Sequence, residues 1–308
     1  MKEIRSFVLV FLGAFCWLSV IGQQRPIQSL YMFDHLVINP AYAGSAVQLS
    51  ATVINRNQWV NFPGAPETTT FTLHSGFFKS RLGLGIMIAR DKIGVHEDYS
   101  VYFSYSYKIK FPIGTLSMGL QGGFNNLSSD FNDLKLRSSV DPSLSGRRVK
   151  FSPNFGAGVY LNNDLGYVGI SVPYLLNDKI VDLEGVLSAA KRRRNYYIAG
   201  GLRRQVSENV KFLPSLLVRL QEGAPLNYDV NAHFVLYETV GLGMSYRNQD
   251  AVVFLFELAI NENFHLGYAY DYTTSALREF SNGSHEIMIN YRIRIPKLHK
   301  GLECPSYF

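Results

Sequence analysis

Cysteine is nearly missing from this chain. Its 308 residues hold two, at positions 16 and 304, and Cys16 lies inside an apolar leader. The one thiol left after that leader cannot form an internal disulfide, so no disulfide framework supports the fold. Cys304 reads by default as an inert or buried thiol. Long apolar runs are missing too. Beyond residue 22 no stretch reaches the ~18 apolar residues of a helical span, which excludes a helical inner-membrane protein. Charge is sparse at 18%, as suits a protein with few water-facing surfaces. No Pro/Gly/Ser-rich linker and no break in composition divides the chain, so it reads as one large domain behind a leader.

Catalytic and metal-binding patterns are also lacking. None of the seven histidines falls in a His-Glu-x-x-His arrangement, and a lone cysteine rules out cysteine-rich zinc sites. His96-Glu97 and His285-Glu286 place neighbours on opposite faces of a strand, a poor geometry for sharing a metal. Gly83-x-Gly85, Gly156-x-Gly158 and Gly241-x-Gly243 resemble pieces of phosphate loops, but none opens a helix or is followed by Lys-Ser/Thr. They read instead as inward-facing strand glycines beside bulky neighbours. No Gly-x-Ser-x-Gly elbow occurs. Asp130, Asp133 and Asp141 share a loop, at spacings that match no calcium loop. The chain therefore reads as neither an enzyme nor a cofactor or metal protein; a barrel enzyme without a short motif is the competing reading. The isoelectric point near 9.1 is the one hint of nucleic acid. The positive residues scatter through wet strand faces and loops, however, where lipopolysaccharide phosphate or a lumen lining accounts for them, so no nucleic-acid partner is expected.

What is present begins with the leader. Lys2 and Arg5 precede an apolar run over 7–20, and Val20-Ile21-Gly22 suits a signal peptidase, making 1–22 a signal peptide and Gln23 the mature N-terminus. The run is shorter than a spanning helix requires. The protein is expected to be exported.

The strongest positive signal is strict alternation. In 285–295, Ile287, Ile289, Tyr291, Ile293 and Ile295 alternate with Glu286, Met288, Asn290, Arg292 and Arg294. Side chains on a strand point to opposite faces with period two, so this segment has one greasy and one wet face. About fourteen such segments occur, near 48–58, 67–75, 82–90, 97–110, 114–125, 151–162, 164–173, 194–204, 210–219, 226–237, 239–247, 251–260, 264–272 and 285–295. A sheet crosses a bilayer only as a closed barrel, and strands of about ten residues fit one. The 14% aromatic content fits interfacial girdles of Tyr and Phe. The fold class is therefore all-β, a transmembrane antiparallel barrel; a soluble sandwich is the competing architecture. At 210–219 and 251–260 both faces are rather apolar, and a plug or a protein contact would cover the inner one.

The connections support the barrel. Links at Pro112-Ile113, Asn163, Glu238 and Asn261-Glu262-Asn263 are tight, whereas 126–150, 174–193 and 273–284 are long. Outer-membrane barrels have short periplasmic turns and longer outer loops. The expected organisation is a periplasmic N-terminal segment over 23–47, a barrel over 48–295 and a periplasmic tail over 296–308. Arg56 faces the lumen or a partner, Trp59 takes an interfacial position, and Lys191, Arg192, Arg193 and Arg194 end a long outer loop as a solvated patch or a dock for an acidic partner.

After the leader the chain carries Tyr31 followed by Asn39-Pro40-Ala41-Tyr42-Ala43-Gly44, then Arg56-x-x-Trp59, and ends in Cys304-Pro305-Ser306-Tyr307-Phe308. Asn39-Pro40 forces an extended or turned backbone before the first strand, and Gly44 permits a tight entry. These signatures resemble the PorP/SprF family of type IX secretion system outer-membrane proteins, over essentially the whole mature chain. The resemblance implies a non-enzymatic outer-membrane component that works with type IX secretion machinery on the periplasmic side. It also implies support for export and surface attachment of a secreted protein with a C-terminal sorting domain, in some members a gliding adhesin. On this reading Asn39, Pro40, Ala41, Tyr42, Gly44, Arg56, Trp59, Lys191, Arg192, Arg193, Arg194, Cys304 and Pro305 are the candidate contact residues, and the outer-membrane lipid and lipopolysaccharide surround the barrel. The alternative is a diffusion channel or fatty-acid-type transporter, and occupancy of the lumen separates the two.

Overall fold

The computed structural model describes residues 27–45, 49–77, 81–132, 146–179 and 191–293. The leader, Gln23, Asp133, Asp141, Cys304, Pro305 and the 296–308 tail lie outside the described residues. The strands of the barrel are β1 (Leu49–Asn57), β2 (Glu67–Phe77), β3 (Leu82–Ile93), β4 (His96–Phe111), β5 (Gly114–Asp130), β6 (Arg147–Asn163), β7 (Gly166–Val172), β8 (Asn195–Leu202, resumed as Arg204–Ser207), β9 (Val210–Gln221), β10 (Asn227–Leu236), β11 (Val240–Arg247), β12 (Ala251–Ala259), β13 (Phe264–Thr273) and β14 (Ser284–Ile293). Each pairs antiparallel with its sequence neighbours, and β1 pairs with β14 in the register Arg56 opposite Glu286, which closes the ring. The result is a closed 14-strand antiparallel barrel. Closure leaves no unpaired edge, the condition a sheet must meet in hydrocarbon.

The alternation decides which face is which. On β14 Glu286, Met288 and Asn290 are buried inside, while Ile287, Ile289 and Tyr291 stand outside. On β4 Ser100, Tyr102, Ser104 and Ser106 are buried, whereas Tyr99, Phe103 and Tyr105 are exposed. A one-residue slip would reverse every such assignment, so the apolar outer belt pins the register. Outward tyrosines sit near both rims, Tyr99, Tyr246 and Tyr272 at one and Tyr107, Tyr237 and Tyr291 at the other, where amphipathic rings sit at a membrane interface.

The links at the two rims differ. One rim carries the long links 58–66, 131–146, 173–194 and 274–283 beside the shorter 94–95, 222–226 and 248–250; the other carries 112–113, 164–165, 237–239 and 260–263, all short. At the tight turn 237–239, Tyr237 and Glu238 both adopt positive φ, 51° and 55°, the twist a short hairpin prefers. Lys211 Nζ lies 2.5 Å from the Glu238 carboxylate and holds that carboxyl below its ordinary range.

One expectation is corrected. The described part of the N-terminal segment, 27–45, does not hang from a rim but runs inside the ring of strands. It forms three 3₁₀ turns, Tyr31–Phe33, His35–Val37 and Pro40–Tyr42, and almost every residue in it is buried. The physical reason is that a wide barrel has an interior to fill, and this stretch plugs it, packing Leu30, Tyr31, Met32 and Phe33 on apolar residues of the inner wall.

Candidate functional site

The plug meets the inner wall in three layers. Nearest the long-loop rim, four strands converge their charges on two plug residues. Arg56 Nη1 donates to Glu286 Oε2 at 2.9 Å, and Arg56 Nη2 donates to Asp271 Oδ2 at 2.6 Å. Arg247 bonds Asp229 at 3.1 Å and reaches Asp271 at 3.3 Å. Ser29 sits in the middle: its hydroxyl donates to Asp271 at 2.8 Å and accepts from Arg56 at 2.9 Å and from Arg247 at 3.2 Å. The Ser29 and Leu30 amides donate to the two Glu286 oxygens, both at 2.8 Å. Each buried charge thus has an opposite charge and further hydrogen bonds, the condition under which such a cluster is tolerated.

The middle layer is apolar. Leu30, Tyr31, Met32 and Phe33 pack on Leu217 of β9, Val253 and Leu255 of β12, and Met288 of β14. Leu217 of β9 and Ala251, Val253 and Leu255 of β12 are therefore the apolar part of the wall that the plug covers. Burying each such side chain contributes about 1.5–3 kcal/mol relative to leaving it in water. The Tyr31 hydroxyl accepts from Asn231 Nδ2 at 2.7 Å, and Thr72 donates to Asp34.

The third layer, toward the tight-turn rim, holds the Asn-Pro-Ala-Tyr-Ala-Gly motif. Asn39 Oδ1 accepts from the Ala41 amide at 2.9 Å, capping the last 3₁₀ turn, while Nδ2 donates to the Val159 carbonyl at 3.1 Å. Pro40 occupies the first helical position, where its fixed φ and missing N–H cost nothing. Tyr42 packs its ring 5.3 Å from His74 and 5.6 Å from Tyr160. Ser106 donates to the Ala43 carbonyl at 2.7 Å, and Lys108 donates to that of Gly44. The wall makes room with glycine. A Cβ on Gly119 would lie 2.2 Å from the Ala41 nitrogen, and one on Gly83 would lie 2.0 Å from the Ala43 carbonyl oxygen. The Gly-x-Gly pairs are inward-facing, as the sequence indicates, and at Gly83 the bulky neighbour is the plug's own backbone.

The structure thus brings Asn39, Pro40, Ala41, Tyr42, Gly44 and Arg56 into the lumen. Trp59 lies apart from them, in the 58–66 link with φ of 45°, its amide donating to Ser284 Oγ at 3.1 Å. Arg193 donates to the Glu222 carbonyl at 3.0 Å, and Arg194 to that of Leu175 at 2.6 Å. Lys191 and Arg192 belong to a two-residue ribbon paired with Asp178–Lys179. Sequence reasoning missed Ser29, Asp229, Asp271 and Glu286 as a cluster; the inward parity of the last three was legible, their convergence on one serine was not. No group of metal-ligating side chains occurs among the described residues.

Between the plug's first residues and the long-loop rim lies a cavity of about 560 Å³, lined by Ile27, Gln28, Trp59, Asp91, Asp98 and Arg219 among others.

Comparison with solved structures finds barrels. The CymD monoaromatic hydrocarbon channel is 12% identical, with 92% of this chain and 96% of that one covered at a TM-score of 0.51. The outer membrane protein Omp33 of Acinetobacter baumannii is 7% identical, with coverages of 80% and 100% and a TM-score of 0.47. A FadL homologue of Pseudomonas aeruginosa is 11% identical, with coverages of 88% and 99% and a TM-score of 0.44. At these identities the likeness concerns the fold alone. No curated protein matches the chain. The family model described as type IX secretion system membrane protein PorP/SprF matches residues 20–291. A motif that seats the plug, a closed 14-strand barrel and a match over most of the chain agree: this protein belongs to the PorP/SprF family of the type IX secretion system and resides in the outer membrane.

Proposed function

We propose that this component of type IX secretion acts as a non-enzymatic anchor, supporting export of a partner protein and holding that partner at the cell surface. The observation that supports the reading is the plug. A segment of the chain's own backbone runs through the lumen and is hydrogen-bonded to the wall in every layer, so the barrel's interior is committed to a folded element. The rims and loops are then the surfaces left to work. The machinery contacts the periplasmic rim, including the 296–308 tail, and the exported protein, in some settings a gliding adhesin, meets the long loops. Removal of 1–22 by signal peptidase precedes assembly.

The test is fractionation of a deletion strain. Its type IX cargo is expected in the medium or retained in the cell, and complementation returns it to the surface; unchanged surface display overturns the reading. Replacing Lys191, Arg192, Arg193 and Arg194 by glutamine is expected to weaken retention of an acidic cargo several-fold while the barrel still assembles. A second reading, a diffusion channel, is favoured by the cavity above the plug, since about 560 Å³ lies within the range of small-molecule sites. Stable stepwise conductance of the intact protein in planar bilayers selects that reading over the first.

A further inference from the structure

Every strand of the ring has a neighbour on each side, yet the ladders differ in length. β7 starts at the tight-turn rim and holds seven residues, where a strand crossing a bilayer needs about nine to eleven. Its six steps cover about 20 Å along the strand. At a tilt near 40° that is about 15 Å of height, against an apolar band about 25 Å tall. β7 therefore stops within the hydrocarbon, short of the long-loop rim. Its neighbour β6 runs on. Residues 157–163 pair with β7, whereas 147–156 pair with β5 and, among the described residues, with no strand on the other side.

The chain beyond β7 bends inward instead of continuing the ladder. Pro173 has no N–H to give to it, and its carbonyl accepts from Gln121 Nε2 at 2.7 Å. Tyr174 turns its ring to Tyr102, 5.1 Å away, and lines the cavity above the plug. One rung, Leu175–Leu176, then joins the flank of β6. The Leu175 amide donates to the Phe155 carbonyl at 2.8 Å, and the Leu175 carbonyl accepts from Arg194 Nε at 2.6 Å. Asn154 accepts from the Leu176 amide at 3.0 Å and donates to its carbonyl at 2.9 Å. Irregular backbone at membrane depth requires protein groups to satisfy it, and here the side chains of Gln121, Arg194 and Asn154 do so.

The flank of β6 at this notch is finished in the same way. Odd positions of β6 turn their backbone groups away from β5, as the bond from Leu175 to the Phe155 carbonyl requires. Pro153 has no N–H there, and the Phe155 N–H donates to Asn154 Oδ1 at 2.9 Å. An added partner strand would need those donors, so the flank does not suit strand addition. Its surroundings suit hydrocarbon. Phe151, Phe155, Leu175 and Leu176 are all exposed, and the cavity that Tyr174 lines also carries Val37, Ile38, Met87 and Leu127.

We propose that this notch is a lateral portal in the barrel wall, open to the outer leaflet. It takes up the hydrocarbon chain of a membrane lipid between the β6 flank and the Leu175–Leu176 rung, with Tyr174 at its inner end. The inference rests on the barrel assignment and is independent of the anchor reading and of any cargo. For the test, the wild-type mature protein is reconstituted in phosphatidylcholine vesicles carrying a phospholipid with a diazirine in its acyl chain. After photolysis, labelled peptides are sequenced by mass spectrometry. Adducts on Tyr174 as well as on Phe151 and Phe155 are expected; adducts confined to outward-facing residues overturn the portal. A second measurement uses fluorescence in a Trp59→Phe background, Trp59 being the one tryptophan after the leader. Tyr174→Trp is compared with Tyr160→Trp, which faces the lumen where β6 is paired on both sides. Lipid brominated in mid-chain is expected to quench the first several-fold more than the second, and equal quenching overturns the proposal.

Discussion

Arg56 is the residue on which the plug's attachment turns. It is 1% exposed and touches Asp271, Glu286 and Ser29 together. Removing one partner from a buried ion cluster strands the others, a loss of about 3–5 kcal/mol. Arg56→Met is therefore expected to lower the urea midpoint of the detergent-solubilised barrel by that much free energy, whereas adding Glu286→Met restores part of it, because the stranded carboxylate is gone. Urea unfolding of the two single variants and the double variant checks this, and strict additivity would contradict a shared cluster. Glycine supplies a second contrast. A side chain at Gly119 collides with the plug's backbone at 2.2 Å, while at Gly200 the nearest atom lies 3.5 Å away. Gly119→Val is expected to unseat the motif and expose a thiol introduced by Tyr42→Cys to maleimide, and Gly200→Ala is expected to leave that thiol protected. That Arg56 points inward was legible from its parity, opposite to that of Val53 on the outer belt. That it meets Ser29 was not, because a 27-residue separation carries no periodic signal.

At the scale of elements, the strands obey period two so closely that all fourteen segments named from the sequence appear within a few residues of their expected bounds. The plug obeys no such rule. Its three 3₁₀ turns are each one turn long, and a single turn of this kind is not stable without packing. Its one local signature, Asn39 before Pro40, marks a cap but not a location. The indirect signature lay elsewhere: apolar inner positions on β9 and β12, Leu217, Val253 and Leu255, demanded a cover, and Leu30, Met32 and Phe33 provide it. Deleting 27–45 is expected to leave a barrel that still inserts but melts at lower temperature, with loss of the apolar layer and the charge cluster. Differential scanning of the folded species checks this; an unchanged melting temperature would mean that the plug contributes nothing to stability.

For the whole molecule, the same deletion separates structure from transport. The inner wall without the plug is rich in Ser, Thr and Asn, including Ser50, Thr52, Thr70, Thr72, Asn231 and Asn290, a wettable lining. The intact protein is expected to be silent in planar bilayers, and the 27–45 deletion is expected to show stepwise conductance. Conductance of the intact form would return the channel reading to first place.

The sequence by itself determined the barrel, its approximate strand bounds, the face each strand turns to lipid, and the family. Those are consequences of local alternation, link length and a contiguous motif, all of which are written along the chain. Only the tertiary structure decided that the N-terminal motif lies inside the barrel rather than beneath it, and that Arg56, Asp271, Glu286 and Arg247 close around Ser29. Closure of the ring brings residues more than two hundred positions apart into hydrogen-bonding distance. No pattern of neighbours along the chain encodes which segment then fills the space that closure creates.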